Sequence, residues 1–231
     1  MAVTTLEGNL ARVREEIASV QAQEGVRQVV RIVAVTKGHP PIVAREAVSA
    51  GIHDLGENRV QEAVTKLEEL RDLSATWHLI GHLQTNKAKY VPGRFGWVHS
   101  VDSVRVVDAL ERALERNGEG VPLQVLIQVN VAGEGQKTGC DPEEAAQVVA
   151  RVEGASHLEV SGLMTMAPYT SDEHVQRDVF AGLRRLRERL ESSGSRLPEL
   201  SMGMSGDYRQ AVAEGATMLR LGTVLFGERP S

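Results

Sequence analysis

Eight times along this 231-residue chain a short apolar, β-branched run passes through a loop into a helical stretch, and that alternation limits the fold more than any other feature. The first unit is the strand Arg31-Ile-Val-Ala-Val-Thr36, then Pro40-Pro41 and a helix from Ile42 to Ala50 that ends at Gly51. Next come Ile52 to Gly56 with a helix from Asn58 to Leu73, Trp77 to Gly81 with a short helix around Asn86 to Tyr90, and Trp97 to Val101 with a helix from Ser103 to Asn117. The second half repeats the pattern: Leu123 to Val131 with Asp141 to Val152, Leu158 to Met164 with Asp172 to Ser192, Glu199 to Met202 with Asp207 to Glu214, and Thr217 to Gly222 with a short tail. Apolar strands such as Val125-Leu-Ile-Gln-Val129, separated by helices, belong to a parallel sheet covered on both faces. Eight such units in about 200 residues fit a closed (β/α)8 barrel of the TIM type. An open doubly wound sheet would carry a glycine-rich fingerprint after its first strand, and Thr36-Lys-Gly-His39 is not one. The expectation is an α/β chain forming a single domain over residues 1–231, with an additional N-terminal helix marked by Leu6, Leu10, Val13, Ile17 and Val20.

Composition closes off several function classes. With 42% hydrophobic and 25% charged residues the chain has the make-up of a folded globule, which excludes disorder. The net charge is −5 and no dense Lys/Arg run occurs, so nucleic acid is not expected as a partner. Apolar runs are strand-sized, and the first 20 residues read as an amphipathic helix, so neither a membrane span nor a signal peptide is expected. One cysteine and seven histidines without metal spacing argue against a disulfide framework or a metal site and place the chain in a reducing compartment, the cytoplasm.

In a barrel the chemistry sits where strands end and βα loops begin. Lys37 ends the first strand, where a partly desolvated amine would attack carbonyls; a lysine that snorkels into solvent is the plainer account of the same position. Ser201-Met-Gly-Met-Ser-Gly-Asp207 sets glycines and hydroxyls before a helix, and Gly222-Thr223 ends the last strand, the two places from which barrels commonly build a phosphate cradle. A carbonyl-reactive lysine opposite such a cradle points to pyridoxal 5′-phosphate. Arg220, two residues before Gly222, would then face the ring nitrogen, or else form an interior ion pair with a residue such as Glu57. Cys140 reads as a packing residue next to the helix start Asp141-Pro-Glu-Glu144. His78 and His82 straddle a strand end rather than share a helical face, and Tyr169 reads as a packed loop aromatic that could cover a ligand.

Taken together, Ala34-Val-Thr-Lys37, Leu55-Gly-Glu-Asn-Arg-Val-Gln-Glu62, Trp77-His-Leu-Ile-Gly-His-Leu-Gln84 with Asn86-Lys87, Gln128-Val-Asn130, Lys137-Thr-Gly139, Gly162-Leu-Met164, Leu200-Ser-Met-Gly-Met-Ser-Gly-Asp207, Arg220-Leu-Gly-Thr223 and Phe226-Gly227 closely resemble the pyridoxal phosphate homeostasis protein family. The resemblance covers nearly the whole chain and implies a fold-type III barrel, similar to the N-terminal barrel of alanine racemases. It implies an internal aldimine on Lys37, phosphate binding by Ser205, Gly222 and Thr223, Arg220 near the pyridine nitrogen and Asn58 beside the ring. Racemisation needs a second acid/base, which the racemases supply as a Tyr from a separate domain; this chain ends at Ser231, as the barrel closes. The expected function is therefore pyridoxal phosphate and amino-acid homeostasis without appreciable catalysis, by a monomer that passes the cofactor to transient apo-enzyme partners. Two rivals stay open. One is a racemase-like enzyme drawing a base from Tyr169 or His82, and the other a cofactor-free Schiff-base aldolase for sugar phosphates.

Overall fold

The β-branched run at the first strand and the seven that follow it find one another edge to edge in the computed structural model, which describes residues 5–118, 120–133 and 138–228. The strands are β1 (Arg31–Val35), β2 (Asp54–Glu57), β3 (Thr76–Leu79), β4 (Trp97–Val101), β5 (Leu123–Gln128), β6 (Leu158–Met164), β7 (Glu199–Ser201) and β8 (Met218–Leu221). All pair in parallel and in sequence order, and β8 returns to β1 through Arg31↔Met218 to Ala34↔Leu221, closing an eight-stranded barrel. Between them lie α2 (Pro41–Ser49), α3 (Val60–Glu69), a 3₁₀ turn (Thr85–Tyr90), α4 (Val104–Glu115), α5 (Ala145–Glu153), α6 (Glu173–Ser192) and α7 (Tyr208–Ala213), with α1 (Leu6–Glu24) in front and α8 (Thr223–Phe226) after β8. This is the expected TIM-type barrel with its additional N-terminal helix.

Because side chains alternate across a strand, each strand serves two interiors. Ala34, Leu55, Trp77, Leu79, Val98, Val125, Ile127, Leu163, Leu200, Leu219 and Leu221 belong to the large core cluster that the helices also enter, with Phe180 and Leu183 of α6 fully buried in it. The alternate positions face the lumen. There Leu126, Met164 and Met218 form a separate small apolar cluster with Trp97 and Met166 against it. The lumen also holds polar groups: His78, His99, Ser201 and Arg220 are all buried there.

Two local expectations differ from the structure. The Asp141-Pro-Glu-Glu144 segment is a turn in which the Asp141 N–H donates to the Glu144 carboxylate at 3.3 Å, and α5 begins only at Ala145. The proline sits in that turn, where the Glu144 N–H returns to the Asp141 carbonyl at 2.9 Å, so the Glu144 side chain closes the turn rather than the first helical turn. The short tail is the helix α8, held down by α1, whose Asn9 Nδ2 donates to the Leu225 carbonyl at 2.9 Å. A four-residue helix satisfies too few of its own groups to signal itself in sequence. Among the described residues no helix is long and apolar enough to cross a membrane.

Candidate functional site

Lys37 lies two residues past β1, half-buried in the turn Lys37–Gly38. What precedes it is tightly held. Thr36 donates its hydroxyl to Glu57 Oε1 at 2.6 Å, and Lys66 of α3 reaches both that same oxygen and the Thr36 carbonyl at 2.7 Å each. Glu57 is 1% exposed and Lys66 10%, so this is a buried ion pair between the barrel wall and α3. It clamps the backbone from which Lys37 projects. It also corrects one reading of the sequence: Glu57 pairs with Lys66 on the helix side of the sheet, not with Arg220 across the lumen.

Arg220 points into the lumen and is 4% exposed. Its Nη1 donates to Ser201 Oγ at 2.7 Å and its Nη2 to the Thr165 carbonyl at 2.9 Å. Burial lowers the guanidinium to about 10, against a partial offset from the charge of Asp207, so it stays a cation at neutral pH. Asp207 itself is pushed up by burial, although its carboxylate accepts the Met204 N–H at 2.5 Å and so folds the loop after β7 back on itself.

The phosphate-cradle segments meet. The N–H groups of Gly222 and Val224 both point at Ser205 Oγ, at 3.3 and 3.2 Å, which brings the loop after β7 onto the loop after β8. Gly203 makes that loop possible: its φ is +94°, and a Cβ there would lie 2.6 Å from the Ala211 Cβ and 2.9 Å from a Leu219 methyl. Arg220 N–H donates to the Gly203 carbonyl at 3.0 Å and ties the two loops together from below. The N-terminal helix buttresses the same pair of loops. Glu16 of α1 bonds the Tyr208 hydroxyl and pairs with Arg209 at 2.7 Å, while Asn9 holds α8. Ser205 and Gly222 are half-buried and Thr223 is exposed. Across the mouth, Asn58 is half-buried at the end of β2, and Gly81 lets its loop come close, since a Cβ on Gly81 would sit 2.0 Å from the Asn58 carbonyl oxygen.

The β1/β8 pairing thus puts Lys37, Arg220, Gly222 and Thr223 at the ends of adjacent strands, with Ser205 bonded to the last of these loops and Asn58 following β2 on the other side of β1. Other candidates fall elsewhere. His82 is exposed, with Nδ1 3.5 Å from an Asp102 carboxylate oxygen, and Tyr169 is fully exposed. Cys140 is buried and its thiol is pushed up to about 12, mainly by burial, which makes it inert at neutral pH. Lys137 of the Lys137-Thr-Gly139 motif lies outside the described residues.

Sequence reasoning missed Lys66, Asp54 and His99 as parts of this site, and it named Ser201 only as a hydroxyl of the loop segment before α7, not as the partner of Arg220 and His99. His78 Nδ1 lies 2.9 Å from His99 Nε2, His78 Nε2 2.9 Å from Asp54 Oδ1, and His99 Nδ1 2.9 Å from Ser201 Oγ. Burial holds both imidazoles below their ordinary value, His99 far below. A signal was present: in Trp77-His-Leu79 and Val98-His-Ser100 a polar ring takes the lumen position of a strand whose other face is apolar.

The profile of the alanine racemase N-terminal domain matches residues 8–230. The pyridoxal phosphate homeostasis protein of Pseudomonas aeruginosa is 41% identical over 229 residues, 98% of this chain and 97% of that one. Its counterpart in Aquifex aeolicus is 40% identical over 222 residues, 95% and 96% of the two chains. Among solved structures, PipY of Synechococcus elongatus with pyridoxal phosphate bound superposes with a TM-score of 0.79 at 39% identity, over 92% of this chain and 99% of that one. An alanine racemase of Clostridium difficile 630 reaches a TM-score of 0.75 at 15% identity over 99% of this chain and 58% of its own, a likeness of fold alone.

Proposed function

This chain belongs to the pyridoxal phosphate homeostasis proteins and to the alanine racemase N-terminal domain family, and on that premise we propose that it binds pyridoxal 5′-phosphate at the mouth of the barrel and works in homeostasis of that cofactor. The observation that carries the reading is the convergence of two backbone N–H groups on the Ser205 oxygen beside the strand end that bears Arg220, one strand away from Lys37. The donor set suits the group. An anionic phosphate needs N–H and O–H donors aimed at one place, which Gly222, Val224, Ser205 and Thr223 supply; an aldehyde needs a primary amine, which is Lys37. When bound, the cofactor supplies an aldehyde that condenses reversibly with amines. Asn58 would flank the ring, and Arg220, a buried cation that can only donate, would hold the ring nitrogen unprotonated.

We further propose that the chain carries the cofactor rather than turning over amino acids. Support comes from the second acid/base that racemisation requires: Tyr169 stands in solvent and His82 is turned toward Asp102. A missing group of that kind costs roughly 10²–10⁴-fold in rate. In this reading a cytoplasmic monomer captures pyridoxal phosphate and releases it to apo-enzymes.

The test is borohydride reduction of the chain loaded with pyridoxal phosphate, followed by peptide mapping. The pyridoxyl mass is expected on Lys37; a label mainly on another lysine overturns the assignment. Incubation with single L-amino acids in heavy water is expected to show no sustained α-proton exchange, and exchange at enzymic rates that Lys37→Ala abolishes would replace the carrier with a racemase-like enzyme.

A further inference from the structure

Five lumen side chains are joined end to end, from Arg220 near the mouth through Ser201, His99 and His78 to Asp54 at the start of β2. The two ends fix the direction of the whole chain. A guanidinium can only donate and an ionised carboxylate can only accept. Ser201 accepts from Arg220 and has a single proton, which goes to His99 Nδ1. His99 is then an acceptor at Nδ1 and carries its proton on Nε2, which it donates to His78 Nδ1. His78 in turn carries its proton on Nε2 and donates it to Asp54. Every proton is placed with both rings neutral.

The opposite polarity is costlier. It would need two protons on His78, a ring with no exposed surface, and would leave the Ser201 hydroxyl proton without an acceptor along the chain. Burial is what opposes a cation at His78; among the charged groups, Asp54 and Glu199 favour one there, and Arg31, whose guanidinium lies 5.4 Å from the Trp97 ring that stacks on His78, opposes it.

We propose that Asp54, His78, His99 and Ser201 form a directed strut in which both histidines hold their proton on Nε2, and that His99 acts through it as a positioning residue, setting how Arg220 is presented to the pyridine ring. The bearing on the ring rests on the function proposed above; the strut itself does not. Arg220 is oriented by two acceptors, one of them the rigid Thr165 carbonyl and the other a hydroxyl whose own direction is set by His99. Loss of His99 frees the Ser201 hydroxyl to rotate, and the guanidinium loses one of its two fixed bearings.

Two measurements test this. Long-range proton–nitrogen spectra of the ¹⁵N-labelled chain without cofactor should show two histidines as neutral Nε2–H tautomers, unchanged across about pH 5.5–7.5, where exposed histidines titrate. A doubly protonated His78 beside an Nδ1–H His99 overturns the strut. Pyridoxal phosphate binding, followed by absorption, should weaken about tenfold with a shifted band in His99→Phe and in Ser201→Ala, the smaller change that keeps the fold, as for a lost hydrogen bond to a charged group. Unchanged affinity and band in both His99→Phe and Ser201→Ala overturn the positioning role. A parent chain that shows the expected tautomers but no binding overturns the function proposed above and with it the positioning role, while the strut stands.

Discussion

Two buried polar groups flank the mouth of this barrel, and they are stabilised in opposite ways. Beside Lys37, Glu57 is met head-on by Lys66, an ion pair contained within one strand end, one helix and the Thr36 hydroxyl. Beside it in the lumen, Arg220 forms no ion pair among the described residues; its hydrogen-bond partners are a hydroxyl and a carbonyl, the charge of Asp207 acts on it without a hydrogen bond, and Asp54 stands at the far end of two neutral rings. A local pair fails when one member is lost, because the other is left as an uncompensated buried charge. A chain of neutral groups spreads the same task, and each link carries less. The first suits a backbone that must not move, the second a buried cation held by neutral hydrogen-bond partners.

The contrast is sharpest in Lys66→Ala, which strands Glu57 and is expected to cost about 3–5 kcal/mol in urea unfolding. The double change Glu57→Leu with Lys66→Met should cost far less, and a double as damaging as the single would show that the pair is more than mutual neutralisation. Next in size is an acid effect that belongs to the strut alone. Burial depresses both His78 and His99, so the unfolded chain binds more protons than the folded one once the pH falls below the ordinary histidine value. Stability contributed by the two rings is therefore fully present above about pH 6.5 and is lost as pH falls below it, more steeply for His99, which burial holds further below its ordinary value. His99→Phe should make that slope clearly shallower in chemical denaturation between about pH 6.5 and 5; an unaltered slope would assign the acid loss to other groups.

Smaller effects are expected at the loops between the two networks. Ser205→Ala is expected to weaken pyridoxal phosphate binding by about 1–3 kcal/mol, and Thr223→Ala, whose hydroxyl is exposed, by the low end of that range. Pyridoxal, which lacks the phosphate, should respond much less by calorimetry; equal weakening of both ligands would move the cradle elsewhere. The smallest change in stability is expected from Lys37→Ala, within about 0.5 kcal/mol, because the half-buried side chain lies outside the core and its backbone is held by Lys66. That variant should nevertheless take up no label with borohydride.

The alternation of apolar strand and helix was enough to determine the barrel, its order and the strand ends at which function would gather, since period and punctuation are local properties of the chain. Lys37, Gly222-Thr223 and Ser205 could be singled out for the same reason: each lies in the loop that opens at the C-terminal end of a strand. The boundaries of α5 and the existence of α8 depended on contacts with other elements, the first on a turn closed by Asp141 and Glu144 and the second on Asn9. Partner choice was beyond the sequence altogether. Whether Arg220 meets Glu57 or Ser201 depends on which face of its strand each residue occupies, and a shift of one residue exchanges the faces. Asp54, His78, His99, Ser201 and Arg220 come from five strands spread over 167 positions from first to last, so only closure of the barrel brings their side chains within hydrogen-bonding distance.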